Sequence, residues 1–256
     1  MAQALIGYTG FVGSNLDRQM AFTHRYNSSN ISSIENENFD LLICAGVAAK
    51  KWLANAEPEK DKKGIDDLLK HLQSIQCRKL VLISTIDVYP APLAVDETTV
   101  IDVDLCSSYG RNRLLLERTL SNIFDTTIIR LPGLFGTGLK KNVIYDFLNN
   151  HNIDQIHPGG VFQFYCLTHL ARDIAIAMER DIRILNITAE PVHVEELAML
   201  CRDARFANPG IETVPASYDV RSVYADLFGG RNGYLYSKQQ VLNDLQQYVN
   251  AYRVAT

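Results

Sequence analysis

Hydrophobic positions along the chain follow two different periods. Short, mainly apolar runs recur at residues 4–6, 41–44, 80–83, 127–129 and 182–187. Runs that are apolar on both faces suit strands of a parallel sheet covered by helices on either side. Between them the spacing changes to that of a helix. Ile65, Leu68, Leu69, Leu72 and Ile75 fall on one face, while Asp66, Asp67, Lys70 and Gln73 are polar. A second helix is predicted over 109–124, with Ser107 or Ser108 as its N-cap. This alternation predicts an α/β fold with a doubly wound, Rossmann-like parallel sheet.

After Gly136 the pattern changes: helices are predicted over 143–149, 194–205 and 238–252, separated by Gly/Pro-containing loops such as 157–160. We therefore expect a dinucleotide-binding domain over 1–135, to which a segment at about 164–190 returns. Residues 136–256 form mainly a small, mixed substrate-binding subdomain.

The segment Gly7-Tyr8-Thr9-Gly10-Phe11-Val12-Gly13 follows the first apolar run and opens a helix predicted from Val12. In that setting glycines permit a tight turn, let the backbone approach a pyrophosphate, and let the helix pack closely on the sheet. Free N–H groups and the helix dipole favour negative charge there. These residues are candidates for holding NAD or NADP. An NAD-preferring site places an acid roughly 20 residues after the first glycine, yet the sequence there runs from Asn27 through Ser28 to Asn30. Without a carboxylate to repel a 2′-phosphate, NADP is tolerated and slightly favoured. Arg25 either helps bind that phosphate or faces solvent.

Composition narrows the classes. The chain has 256 residues, 47% hydrophobic and 21% charged, with a formal net charge of -4; it is expected to fold throughout and offers no basic field for nucleic acid. Five cysteines, odd in number and widely spaced, fit neither a disulfide framework nor a metal knuckle and are read as reduced thiols. The six histidines show no two-His zinc-helix pattern, so no metal is expected. Neither an export signal nor a membrane span is expected, and a cytoplasmic location follows. The charge cluster Lys60-Asp61-Lys62-Lys63 reads as solvated surface.

Several segments together resemble the extended short-chain dehydrogenase/reductases, the NAD-dependent epimerase/dehydratase group acting largely on nucleotide sugars. They are Gly7 to Gly13, Ala45-Gly46, Ser84-Thr85-Ile86-Asp87-Val88-Tyr89, Tyr109-Gly110-Arg111-Asn112-Arg113 with Glu117, Arg130 to Gly136, and Phe164 to Leu170. The resemblance covers most of the chain. It implies that Tyr109 is the acid/base, that Thr85 bonds the reacting sugar oxygen with Ser84 as the near alternative, and that Arg113 stands where the family has lysine. Four residues apart on a helix, Arg113 can set its guanidinium beside the phenol and help depress its pKa. Ala45, Gly46 and Pro132 are implied to line the cofactor site. Asp87, Lys141, Asn142 and Gln163 are candidates for substrate contact. Trp52 is another, although core or subdomain packing is its favoured role.

In this family's dehydratases two acids follow the threonine; here Ile86 fills the first place, which disfavours dehydration. The implied activity is an NAD(P)-dependent epimerisation or reduction at a sugar carbon, with a nucleotide sugar as substrate and a homodimer as assembly. The alternative is an NAD(P)-binding protein with little or no activity, since Arg113 replaces the lysine. A third reading is a structural subunit using the scaffold only for contacts.

Overall fold

The computed structural model describes residues 1–202, 206–208 and 213–255. In chain order its elements are β1 (Gln3–Ile6), α1 (Phe11–Asp17), β2 (His24–Tyr26), β3 (Asn38–Cys44), α2 (Lys51–Ala56), α3 (Pro58–Leu72), β4 (Gln76–Thr85), β5 (Leu93–Val95), α4 (Ser108–Ile123), β6 (Thr126–Leu131), β7 (Gly133–Phe135), α5 (Val143–Asn149), β8 (Val161–Phe162), β9 (Phe164–Cys166), α6 (Leu170–Glu179), β10 (Ile184–Asn186), β11 (Val192–His193), α7 (Val194–Arg202), β12 (Asp219–Val220) and α8 (Lys238–Ala255). The chain divides into two compact units. The first comprises residues 1–91, 99–131 and 168–185; the second comprises 92–98, 132–167 and 186–256.

The first unit is built on a six-stranded sheet of order β10-β6-β4-β3-β1-β2. Its ladders β1–β2, β1–β3, β3–β4 and β4–β6 are all parallel, so the expected α/β doubly wound architecture is present. All six residues of β6 are buried, which is why consecutive rather than alternating apolar positions mark these strands. Ile6, Leu42, Leu80, Leu82, Leu116, Leu120 and Ile128 pack with Ile65 and Leu72 of α3 into one buried cluster. The chain leaves β1 toward β2 on one side and β3 on the other, so the sheet order reverses beside β1, where such folds take ligands.

The helices α3 and α4 differ from their predicted bounds. α3 begins at Pro58, which serves as a ready-made first helical residue, and ends at Leu72, before Ile75. Its outer face is held by exposed ion pairs such as Lys62–Asp66 and Lys63–Asp67, which apolar periodicity cannot reveal. α4 starts at Ser108 with Ser107 as N-cap, its side chain accepting from the Gly110 N–H. In the second unit α5, α7 and α8 occupy the predicted stretches, the last three residues of the expected 194–205 helix lying outside the described residues. That unit also contains the short sheets β11–β8, β12–β5 and β7–β9. All five cysteines are free thiols. No helix among the described residues is long and apolar enough to cross a membrane.

Candidate active site

β1 delivers the chain directly into the glycine segment. Gly7 adopts φ +86°, and its N–H donates to the Tyr26 carbonyl of β2 at 2.7 Å. The Gly10 N–H turns back onto the Gly7 carbonyl at 2.9 Å, and α1 begins at Phe11. A Cβ on Gly13 would lie 2.0 Å from the Gly7 carbonyl oxygen, so only glycine lets α1 pack this tightly on the turn. Thr9 and Gly10 are exposed, and Phe11 and Val12 half-buried. Gly10 makes no side-chain cap and the first turn carries no acid. Its N–H groups are therefore available to an anion, and the segment fits a dinucleotide pyrophosphate.

Two neighbouring segments border the turn. The Ala45 N–H donates to the Ile6 carbonyl, and the exposed Gly46 lies against the Ile6 side chain. Asn27 and Ser28 follow β2. The Asn27 carboxamide accepts from the Ser29 N–H at 2.8 Å and from its hydroxyl at 2.6 Å, while Ser28 is exposed. Arg25 is engaged with Asp17 at 2.7 Å and with the Phe22 carbonyl.

The Thr85, Tyr109 and Arg113 side chains lie together in the same unit. Thr85 ends β4, its hydroxyl accepting from the Asp87 N–H at 3.1 Å, and it lies close enough to the Tyr109 phenol to lower its pKa. Tyr109 sits in the first turn of α4, its own N–H donating to Asn55 Oδ1 of α2 at 2.9 Å. The following Gly110 is steric in purpose: a Cβ there would stand 2.2 Å from the Asp87 carbonyl oxygen, so a larger residue would push α4 away from the end of β4. Asp87 itself pairs with Lys51 at 2.7 Å. Tyr109 is 6% exposed, and burial pushes its phenol above the ordinary value; the Arg113 charge pulls it down only in part.

The Arg113 guanidinium carbon lies over the Tyr109 ring, 4.5 Å from the centroid. Nη1 and Nη2 grip the two oxygens of Asp61 at 2.8 and 2.9 Å, and Nη2 also donates to the Ala48 carbonyl. The planar fork matches a carboxylate in a way an ammonium does not, which draws the cation toward α3. Asp61 was read as surface but its side chain is only 8% exposed. The available signal was its phase: it precedes Ile65 by four residues, on the apolar face of α3.

Ser84 is likewise not turned to a ligand. Its hydroxyl donates to Glu117, which is paired with Arg130, and Arg130 donates to the Tyr89 hydroxyl at 2.9 Å. A buried carboxylate recruits every donor in reach, so Ser84 serves the interior. Trp52 corrects the packing expectation: it is 69% exposed on α2.

In the second unit, the Gln163 carboxamide is fully committed to the backbone. It donates to the Ala189 and Val220 carbonyls and accepts from the Val220 N–H, bracing the fold rather than facing a substrate. Asn142, at φ +101°, caps α5 by accepting from the Ile144 and Tyr145 N–H groups and donates to the Leu134 carbonyl. Lys141 is exposed and Pro132 half-buried.

No protein-family model matches the chain, and no curated protein matches it in sequence. Solved structures do. The UDP-glucose 4-epimerase of Thermotoga maritima with UDP-glucose is similar at TM-score 0.71 and 16% identity, over 100% of this chain and 99% of that one. RMD from Pseudomonas aeruginosa complexed with NADPH is similar at TM-score 0.76 and 15% identity, over 100% of both chains. The dTDP-4-dehydrorhamnose reductase of Yersinia enterocolitica is similar at TM-score 0.70 and 15% identity, over 98% and 100%. The fold is therefore the one the resemblance implies.

Proposed function

We infer that this chain, which has the fold of extended short-chain dehydrogenase/reductases, is an NAD(P)-dependent epimerase or reductase acting at a sugar carbon, with a nucleotide sugar as substrate. The observation that carries the reading is the grouping of Thr85 at the end of β4, the buried Tyr109 phenol and the Arg113 cation over its ring. It lies in the same unit as a glycine turn shaped for a pyrophosphate. Similar structures hold UDP-glucose or NADPH, which supports both the ligand and the cofactor class.

A bound nicotinamide dinucleotide supplies the hydride exchange. The chain's own residues do the rest. Gly7, Thr9, Gly10, Phe11, Val12 and Gly13 receive the pyrophosphate, and Ala45 and Gly46 line the cofactor. Asn27 and Ser28 meet the adenosine ribose without a carboxylate, which favours NADP. Thr85 orients the reacting hydroxyl, and Tyr109 exchanges its proton. Burial keeps the phenol protonated at neutral pH, the form that donates when a carbonyl is reduced. In the first unit Asp87 remains the candidate for substrate contact. Homodimerisation through α3 and α4 and a cytoplasmic location belong to the same reading.

A second reading, a dinucleotide-binding protein with little activity, is favoured by one observation: the Arg113 cation is neutralised by Asp61. Turnover of UDP- and dTDP-linked sugars with NADH and NADPH tests the choice. A Tyr109→Phe protein must lose that turnover while still binding dinucleotide by calorimetry; retained turnover overturns the mechanism. A large gain in activity on Arg113→Lys supports the second reading, and a loss supports an arginine-adapted enzyme.

A further inference from the structure

We propose that Asp61 is a positioning residue for Tyr109: by holding both ends of the Arg113 fork it keeps that cation stacked on the ring and compensated, and so controls how readily the phenol releases its proton. The proposal rests on reading Tyr109 as the acid/base.

The geometry is specific. Asp61 projects from the first turns of α3 and receives hydrogen bonds from two consecutive residues of α4. Arg113 supplies two, at 2.8 and 2.9 Å, and Asn112 Nδ2 supplies a third at 2.9 Å. Asn112 is itself fixed by the Pro58 carbonyl, and Ala48 accepts from the remaining reach of the fork. Arg113 and Asp61 side chains are 4% and 8% exposed, so little solvent screens them. The hydrogen bonds of Arg113 thus go to Asp61 and Ala48, and its guanidinium meets Tyr109 through the ring face.

The charged groups facing Tyr109 come as two compensated pairs: Arg113 with Asp61, from α4 and α3, and Lys51 with Asp87, from α2 and the end of β4. Held on Asp61, Arg113 still pulls the phenol down, but less than burial raises it, and the phenol lies above its ordinary value. Neutralising Asp61 unmasks Arg113, whether it stays on the ring or swings to the oxygen. Either arrangement favours the phenolate. A lysine at position 113 could not satisfy both carboxylate oxygens and the Ala48 carbonyl with the same planar geometry.

Protein labelled with 13Cζ-tyrosine, its Tyr109 resonance assigned by Tyr109→Phe, reports ionisation by NMR without any substrate. Asp61→Asn is expected to lower the Tyr109 midpoint by about one unit or more, and Asp61→Glu to leave it near the parent value. An unchanged or raised midpoint in Asp61→Asn overturns the proposal. Should Asp61→Asn fail to fold for want of a partner to Arg113, the double variant Asp61→Asn/Arg113→Gln removes the pair together. Its midpoint is expected at the parent value or above it, since Arg113 is gone; a midpoint below the parent's would show that Asp61 does not act through Arg113 and overturns the proposal. Because the readout is ionisation, a catalytically idle Tyr109 would still titrate as expected, which separates failure here from failure of the enzymatic reading.

Discussion

Glu117 and Arg130 meet at 2.6 Å in the interior, with side chains 2% and 4% exposed. The carboxylate also accepts from Ser84, and the guanidinium lies 5.1 Å from the centroid of the Tyr89 ring. This pair ties α4 to β4 and β6. Removing one partner strands the other, so Glu117→Gln is expected to cost about 3–5 kcal/mol. Urea unfolding would check it, and a loss below about 1 kcal/mol would contradict the role.

The glycine turn makes a separate prediction. Gly13→Ala places a methyl group where the Gly7 carbonyl already lies. Stability should fall by about 1–3 kcal/mol through overpacking, and NADPH binding measured by calorimetry should weaken. Unaltered affinity would detach the turn from cofactor binding.

Asp61 also gives an acid dependence. Burial alone would raise its carboxyl, but hydrogen bonds from Arg113 and Asn112, with the Arg113 charge, outweigh it and hold the group below 3.8. A folded value below the unfolded one means that the stabilisation is complete above the unfolded value and disappears as pH falls through the folded value. The parent should lose more urea resistance than Asp61→Asn does as pH falls below about 4. Equal losses would count against the pairing.

Burial pushes the Cys44 thiol up to about 11 and Cys201 up to about 12. Thiolate is the reactive form, so neither should react quickly with a disulfide reagent at pH 8 in the native protein. Unfolding in guanidinium should release all five thiols. Rapid native labelling of Cys44 or Cys201, mapped by mass spectrometry, would contradict their burial.

Much of the first unit was legible because its strands are buried on both faces and write themselves as unbroken apolar runs. β2 was not: His24 and Arg25 are exposed and only Tyr26 is buried, leaving no periodic signal in three residues. The glycine turn was legible from its place between strand and helix. Partners of polar residues were not, because they are set by tertiary contact. Ser84 finds Glu117 33 residues later, and Gln163 finds Val220 57 residues later. Nothing local distinguishes such a side chain from one facing a ligand. The fate of Arg113 was hidden for the same reason, its carboxylate lying 52 residues upstream inside a run of lysines.

The fit of Gly110 against the Asp87 carbonyl changes what a Tyr-Gly dipeptide can testify in any relative of this chain. Selection for a foldable scaffold would retain that glycine even in a lineage that had abandoned turnover. A library randomised at position 110 and screened only for soluble expression should return glycine without any metabolite being consumed.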